Sequence, residues 1–196
     1  MPTAKHLNLI IAGVGGQGVN SLAKVLADAL LQSNFHCQFT VHKGGAQSLG
    51  SVYAEFRISR NSEEKLTILG QGIPRAQLDC LISLDPWEAL RHVNLAHEAT
   101  TLWVEKSTQA LFIERGLKQS DKKKIATPQS QLNALPLTVH WQDYQKNALQ
   151  HYKTKKMANY LAGLDCLIAL KNNKVQIEPA LFDTLFFSKI TKAKQA

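Results

Sequence analysis

The stretch LNLIIAGVGGQGVNSLAKVLADALL, Leu7–Leu31, restricts the fold more than any other in the chain. Leu7–Ala12 is a near-continuous apolar run, the pattern of a strand covered on both faces. Gly13, Gly15 and Gly18 follow at G-x-G-x-x-G spacing, with Gly16 between them. From Gln17 to Gln32, Val19, Leu22, Ala23, Leu26, Ala27, Leu30 and Leu31 recur at spacings of three and four and lay one apolar stripe along a helix. A strand that turns on glycines into a helix presents backbone N–H groups and the positive helix end to whatever sits over the turn.

The rest of the chain continues in the same style. Phe35–His42 reads as a second strand, and Ser51–Ser59 as a third with Val52, Ala54, Phe56 and Ile58 on a covered face and Tyr53, Glu55 and Arg57 on a polar one. Between them lies a second glycine loop, Lys43–Gly50. Asp79–Leu84 is another buried strand, and DPWEALRHVNLAHEA opens a helix with Asp85 at the N-cap, Pro86 at N1 and Glu88 at N3 in a capping-box-like arrangement. Thr100–Ser107 and Leu137–Trp141 read as strands. Residues 108–136 read as loop with some helix, and Tyr144–Tyr152, Lys155–Leu170 and Pro179–Ile190 as helices. Strands alternating with helices predict an α/β fold: a single domain over residues 1–196, a Rossmann-like three-layer α/β/α sandwich around a mostly parallel, mixed sheet.

Composition narrows the function. A chain of 196 residues buries about 70% of the surface its unfolded form exposes, so it requires no disulfide or metal staple. Cys37, Cys80 and Cys166 are far apart and odd in number, which excludes C-x-x-C pairs and the ligand spacings of Fe–S or zinc sites. No apolar run approaches the ~18 residues of a membrane span, and the first residues lack a basic leader and cleavage site; a cytoplasmic location without membrane contact is expected. The net charge of +8 points to an acidic partner or ligand. Its lysine runs, DKKKIATP, HYKTKK and the tail KITKAKQA, lack interleaved aromatics and a recognition motif and read as solvated faces, so nucleic acid is not expected.

The first glycine turn admits three readings. A dinucleotide site also wants an acidic residue at the end of the second strand to bind ribose hydroxyls; NFHCQFTVHKGG contains none, and His42 or Lys43 lacks the planar fork of an Arg for a 2′-phosphate. The glycines can instead serve only to let helix and strand pack closely. The third reading is a turn facing a phosphate-bearing ligand in an assembled complex.

IAGVGGQGV and KGGAQSLGSVYAEFRIS taken together, followed by LDCLISLDPWEALRHVNL and, more loosely, KKMANYLAGLDCLIAL, resemble the gamma-type subunit of 2-oxoacid:ferredoxin oxidoreductases, equivalent to the beta subunit of indolepyruvate oxidoreductase. The resemblance spans nearly the whole chain. It implies a non-redox subunit of a complex that oxidatively decarboxylates a 2-oxoacid such as pyruvate, 2-oxoglutarate or indolepyruvate to an acyl-CoA, passing electrons to ferredoxin or flavodoxin. Thiamine diphosphate and the Fe–S clusters would reside mainly in partner subunits, and coenzyme A in a cleft this chain helps complete. The family's second loop commonly reads QRGGS, where Gln47–Ser51 reads QSLGS; Ser48 and Leu49 replace an Arg and a Gly, removing a bidentate anion contact that Lys43 would replace only as a point charge.

The candidate cofactor-binding residues are Gly13, Gly15, Gly16, Gln17, Gly18, Lys43, Gly44, Gly45, Gln47, Ser48, Gly50 and Ser51. The Gln17 amide is either presented to a ligand or solvated, and Asn159 resembles an Asn of the family's late helix with either a ligand or an interhelix role. No nucleophile, base and orienting residue occur at convincing spacing: Glu55, Asp85, Glu88, His42 and His92 each have a structural reading. No catalytic residue and no metal ligand is expected of the chain itself. An alternative is a stand-alone nucleotide-binding or regulatory module of the same fold.

Overall fold

A computed structural model describes residues 6–44, 50–60, 72–107 and 126–193, the side chains of 190–193 excepted. The elements are β1 (His6–Val14), α1 (Val19–Gln32), β2 (Cys37–Lys43), β3 (Ser51–Ser59), β4 (Leu78–Ser83), α2 (Pro86–His92), β5 (Ala96–Glu105), α3 (Pro128–Asn133), β6 (Thr138–Gln142), α4 (Tyr144–Tyr152), α5 (Ala158–Asn172) and α6 (Pro179–Ala193). Single 3-10 turns, Val93–Leu95 and Lys155–Met157, lead into β5 and α5.

The strands form one six-stranded sheet of order β2-β3-β1-β4-β5-β6. The pairs β1–β4, β4–β5 and β5–β6 are parallel, whereas β3 lies antiparallel to both β1 and β2. Strand alternation sorts the core into two layers. Leu7, Leu9 and Ile11 of β1 join Ala54, Phe56, Ile58, Cys80 and Ile82 beneath α1, α5 and α6. Ile10 and Ala12 join Leu81, Leu102 and Val104 on the other face, beneath Ala89 of α2 and Leu132 of α3. This is the expected mixed, three-layer α/β/α sandwich. Among the described residues no helix is long and apolar enough to cross a membrane.

Local chemistry sets the element ends. Asp85 caps α2 by accepting from the Trp87 N–H at 2.9 Å, with Pro86 in the first turn. The helix read through the following residues stops at His92, and β5 begins at Ala96, four residues before the expected Thr100. Thr100 explains the early start: its hydroxyl accepts from His97 N–H at 2.8 Å and donates to Leu78 O at 2.5 Å, tying the irregular entry of β5 to β4. Of the segment read as loop with some helix, Pro128–Asn133 is helical, capped by Thr127 through the Ser130 N–H, while 108–125 lie outside the described residues.

Candidate functional site

The parallel strands point their carboxyl ends toward one edge of the sandwich, where the glycine turn after β1 and the start of α2 after β4 meet. The chain leaves β1 for the α1 face and β4 for the α2 face. This divergence between neighbouring parallel strands is a topological switch point, the place where open α/β sheets hold ligands. A cleft of about 350 Å³ opens there, lined by Gly16, Gln17, Gly18, Leu84, Gln145, Lys155, Lys156, Ala158 and Asn159.

Each glycine of the turn has its own geometric reason. A Cβ on Gly13 would stand 2.7 Å from Gln17 Oε1, 3.0 Å from Val19 and 3.3 Å from Leu84, so this position brings β1, α1 and β4 together. Gly16 and Gly18 adopt φ of +94° and +83°, the left-handed region that a side chain disfavours. Over Gly16 nothing lies within 4 Å, so its backbone opens onto free space, whereas a Cβ on Gly18 would come within 2.5 Å of Asn159 Nδ2. Gly18 also caps α1, a helix of 14 residues whose first turn contains no acidic side chain, leaving its positive end uncompensated by its own residues.

Gln17 is bonded inside the protein. Its Oε1 accepts from Val14 N–H at 2.8 Å and its Nε2 donates to Leu84 O at 2.9 Å. The amide thus clips the turn after β1 to the end of β4 and shapes the cleft wall, which corrects the picture of a solvated or wholly ligand-directed side chain. Asn159, 9% exposed on the first turn of α5, has its Oδ1 buried without a partner. A buried acceptor without a partner at the edge of a cleft is a polar group that the fold leaves unsatisfied. Lys155 and Lys156, in the 3-10 turn before α5, complete the wall with two cationic side chains.

The two ends of the second glycine loop lie beside the first turn. Gly15 N–H donates to Gly50 O at 2.8 Å, and Gly44 N–H to Ser51 O at 2.7 Å. Ser51 donates its hydroxyl to Glu88 Oε2 at 2.6 Å, and the other Glu88 oxygen accepts from Arg91 Nε at 3.0 Å. Lys43, Gly44, Gly50 and Ser51 are therefore brought beside the turn, but not onto the cleft wall. Gly45, Gln47 and Ser48, with Leu49, lie outside the described residues. The Gln145, Lys155 and Lys156 contributions were missed in the sequence. The HYKTKK run was visible there, but it read as a solvated face.

On the α2 face, His42, Tyr53 and His92 form an aromatic file, with ring centroids 4.5 Å apart in each successive pair. Burial, then the charge of Arg91 and the proximity of His42, push the His92 imidazole down to about 4. It is neutral at physiological pH, and its Nε2 is buried without a partner. His42 Nε2 stands 3.6 Å from Glu55 Oε2. The three cysteines are free thiols. Burial raises Cys37 to about 11 and Cys80 to about 12, and raises Cys166 well above its ordinary value, so all three stay protonated near neutrality.

Topology also disposes of the dinucleotide reading. A dinucleotide fold sets a parallel second strand beside β1 so that its end reaches the ribose. Here β1 is flanked by β3 and β4, and β2 lies at the sheet edge beyond the antiparallel β3.

A mixed α/β/α sandwich with a switch-point cleft walled by glycine backbone, carboxamides and lysines is a domain of Rossmann-like class. The chain belongs to the pyruvate ferredoxin/flavodoxin oxidoreductase family, whose model matches residues 8–162. Similar proteins include the indolepyruvate oxidoreductase subunit IorB of Thermococcus kodakarensis, 33% identical over 90 residues, which are 46% of this chain and 42% of that protein. IorB of Archaeoglobus fulgidus is 31% identical over 95 residues, 48% of this chain and 44% of the relative. The matched stretch thus spans less than half the length of these curated relatives. Among solved structures, the fold is shared with the pyruvate oxidoreductase subunit PORC of Thermotoga maritima, with a TM-score of 0.57, 16% identity and 93% and 92% of the two chains covered. It is shared too with 2-oxoglutarate:ferredoxin oxidoreductase of Magnetococcus marinus, solved with 2-oxoglutarate, coenzyme A and succinyl-CoA bound. That match has a TM-score of 0.65 at 16% identity and covers 97% of this chain but 28% of the larger one.

Proposed function

We propose that this chain is the non-redox, gamma-type subunit of a thiamine diphosphate-dependent 2-oxoacid:ferredoxin oxidoreductase. It supports oxidative decarboxylation of a 2-oxoacid to an acyl-CoA, with electrons passing to ferredoxin or flavodoxin through the assembled enzyme. Within the family, the observation that carries this reading is the cleft: a glycine turn at a helix N-terminus, two lysines and an unpaired carboxamide oxygen are groups that hold a ligand rather than break a bond. The supply of thiamine and cluster chemistry by partner subunits fits three cysteines, Cys37, Cys80 and Cys166, that stand far apart in the sequence, outside the ligand spacings of Fe–S sites.

Coenzyme A supplies the thiol that takes up the acyl group when it is bound. Its phosphates suit the Gly16–Gly18 backbone with Lys155 and Lys156, and Asn159 Oδ1 offers an acceptor to an amide or hydroxyl donor. Gln17 and Gly13 act one step behind, holding the turn in the shape that exposes this backbone.

The test is purification of the tagged chain from its native cells. Co-purifying subunits, bound thiamine diphosphate, broad absorbance near ~400 nm from thiolate-ligated clusters and 2-oxoacid-dependent reduction of a viologen dye support the proposal. A colourless chain without partners, from cells making such an enzyme, refutes it. Lys155→Ala and Lys156→Ala in the complex should each raise the KM for coenzyme A roughly tenfold, the scale of one charge-assisted contact, and leave kcat unchanged. Unchanged KM in both would remove these lysines from the site.

A further inference from the structure

Beside the cleft, α4 presents a surface that neither the core nor the proposed ligand uses. Lys146 and Leu149 are exposed on α4, away from the buried Tyr144 and Ala148. Tyr152, on the same i, i+4, i+8 row as those two buried residues, ends the helix, and Lys153 follows as its left-handed cap (φ +58°), with Nζ donating to Gln150 O at 3.1 Å. Leu149 is 49% exposed and Tyr152 41% exposed. The ring of Tyr152 sits edge-on to Tyr160 of α5 at 5.9 Å, and Phe187 of α6, also 41% exposed, meets the same Tyr160 at 5.2 Å. Three helices thus contribute to one aromatic and aliphatic patch over Tyr160.

The charge around it is mostly positive, with Asp183 the exception. From Tyr144 to Leu164 the sequence contains Lys146, Lys153, Lys155, Lys156 and His151 and no Asp or Glu. Asp183 faces the patch from α6, where its carboxylate accepts from the Tyr160 hydroxyl at 2.8 Å. Lys189 on the same helix is paired with Asp28 of α1 at 2.7 Å and adds no free charge. An apolar centre holding aromatic rings, bordered by cations, is the anatomy of a protein interface with a polar rim.

We infer that this α4 face docks an acidic surface of another subunit of the same enzyme. The inference rests on the proposed subunit role. Charge complementarity selects the occupant: carboxylates around an apolar knob would meet Lys146 and Lys153 while Leu149, Tyr152 and Phe187 cover the knob. A second copy of this chain would bring lysine against lysine across the contact.

The experiment is affinity purification of the tagged full-length chain from native cells, as wild type, as Lys146→Glu/Lys153→Glu, as Leu149→Ser/Tyr152→Ser, and as Lys24→Glu on the exposed side of α1. Circular dichroism of each variant confirms the fold. Wild type and Lys24→Glu should retain the partner subunits. The charge-reversal pair should retain at least tenfold less, and the loss should be larger in low salt than in high salt. The Leu149→Ser/Tyr152→Ser pair should lose partners at all salt concentrations. Equal retention by every folded variant would overturn the inference while leaving the subunit role standing. Wild type purifying without partners would overturn both, and loss confined to self-association would replace the acidic subunit with a second copy.

Discussion

His92 makes the stability of this protein depend on pH in a calculable way. Its imidazole is 7% exposed, packs against Tyr53 at 4.5 Å and titrates at about 4 in the folded chain, against an ordinary value of 6.5. A base whose folded value is depressed binds fewer protons folded than unfolded, so its contribution is intact above pH 6.5 and is lost as pH falls toward 4. The whole shift is about 2.5 units, or roughly 3 kcal/mol at 1.36 kcal/mol per unit; at pH 5 about 2 kcal/mol of it is already lost. The assay is urea denaturation of wild type and His92→Phe at pH 7.5 and pH 5. The variant keeps a ring against Tyr53 and carries no titrating group. Between the two pH values wild type should lose about 2 kcal/mol more than His92→Phe, since every carboxylate effect is common to both. Equal losses would refute the account of His92 as a buried neutral base.

Other perturbations follow from the same geometry. Gly18→Ala puts a Cβ at φ +83° and within 2.5 Å of Asn159 Nδ2; a cost of about 1–2 kcal/mol should lower the melting temperature by roughly 2–8 °C, read by calorimetry. Gly163→Ala drives a methyl to 2.3 Å from the Phe182 ring and 3.0 Å from Leu22, where α5 crosses α1 and α6. It should destabilise by about 1–3 kcal/mol, and a second change, Phe182→Leu, should restore part of that loss in the double variant. Gln17→Ala leaves the Val14 N–H and the Leu84 carbonyl without their partner. Chemical denaturation should show a loss of roughly 1–3 kcal/mol, and a near-neutral result would dismiss the amide clip.

What the sequence reveals and what it hides divide by range. Asp85 and Pro86 announce α2 because a cap and its helix are neighbours in the chain, and the alternation of Val52, Ala54, Phe56 and Ile58 announces the covered face of β3. The same alternation says nothing about direction, which is why the antiparallel placement of β3 between β1 and β2 emerges only in three dimensions. Gln17 looks free until its acceptor, Leu84 O, arrives 67 residues later. Lys155 and Lys156 resemble any exposed basic run until the turn before α5 delivers them to the cleft mouth beside Gly16 and Gly18. The glycine turn was legible as a strand-to-helix turn, whereas the other residues that wall the cleft depend on tertiary contacts that local pattern does not encode.

The position of β1 has a consequence for how the chain reaches this structure. The strand is flanked on both sides by later ones, with Leu7 opposite Ile58 and Leu9 beside Cys80. During synthesis β1 emerges before both of its partners and waits, its backbone paired only with water, until β3 and then β4 leave the ribosome. Closing those long loops before any pairing is gained slows folding and exposes a sticky edge to other chains. Helix α1, which forms locally and covers one face of β1, is the element available to shield it in that interval.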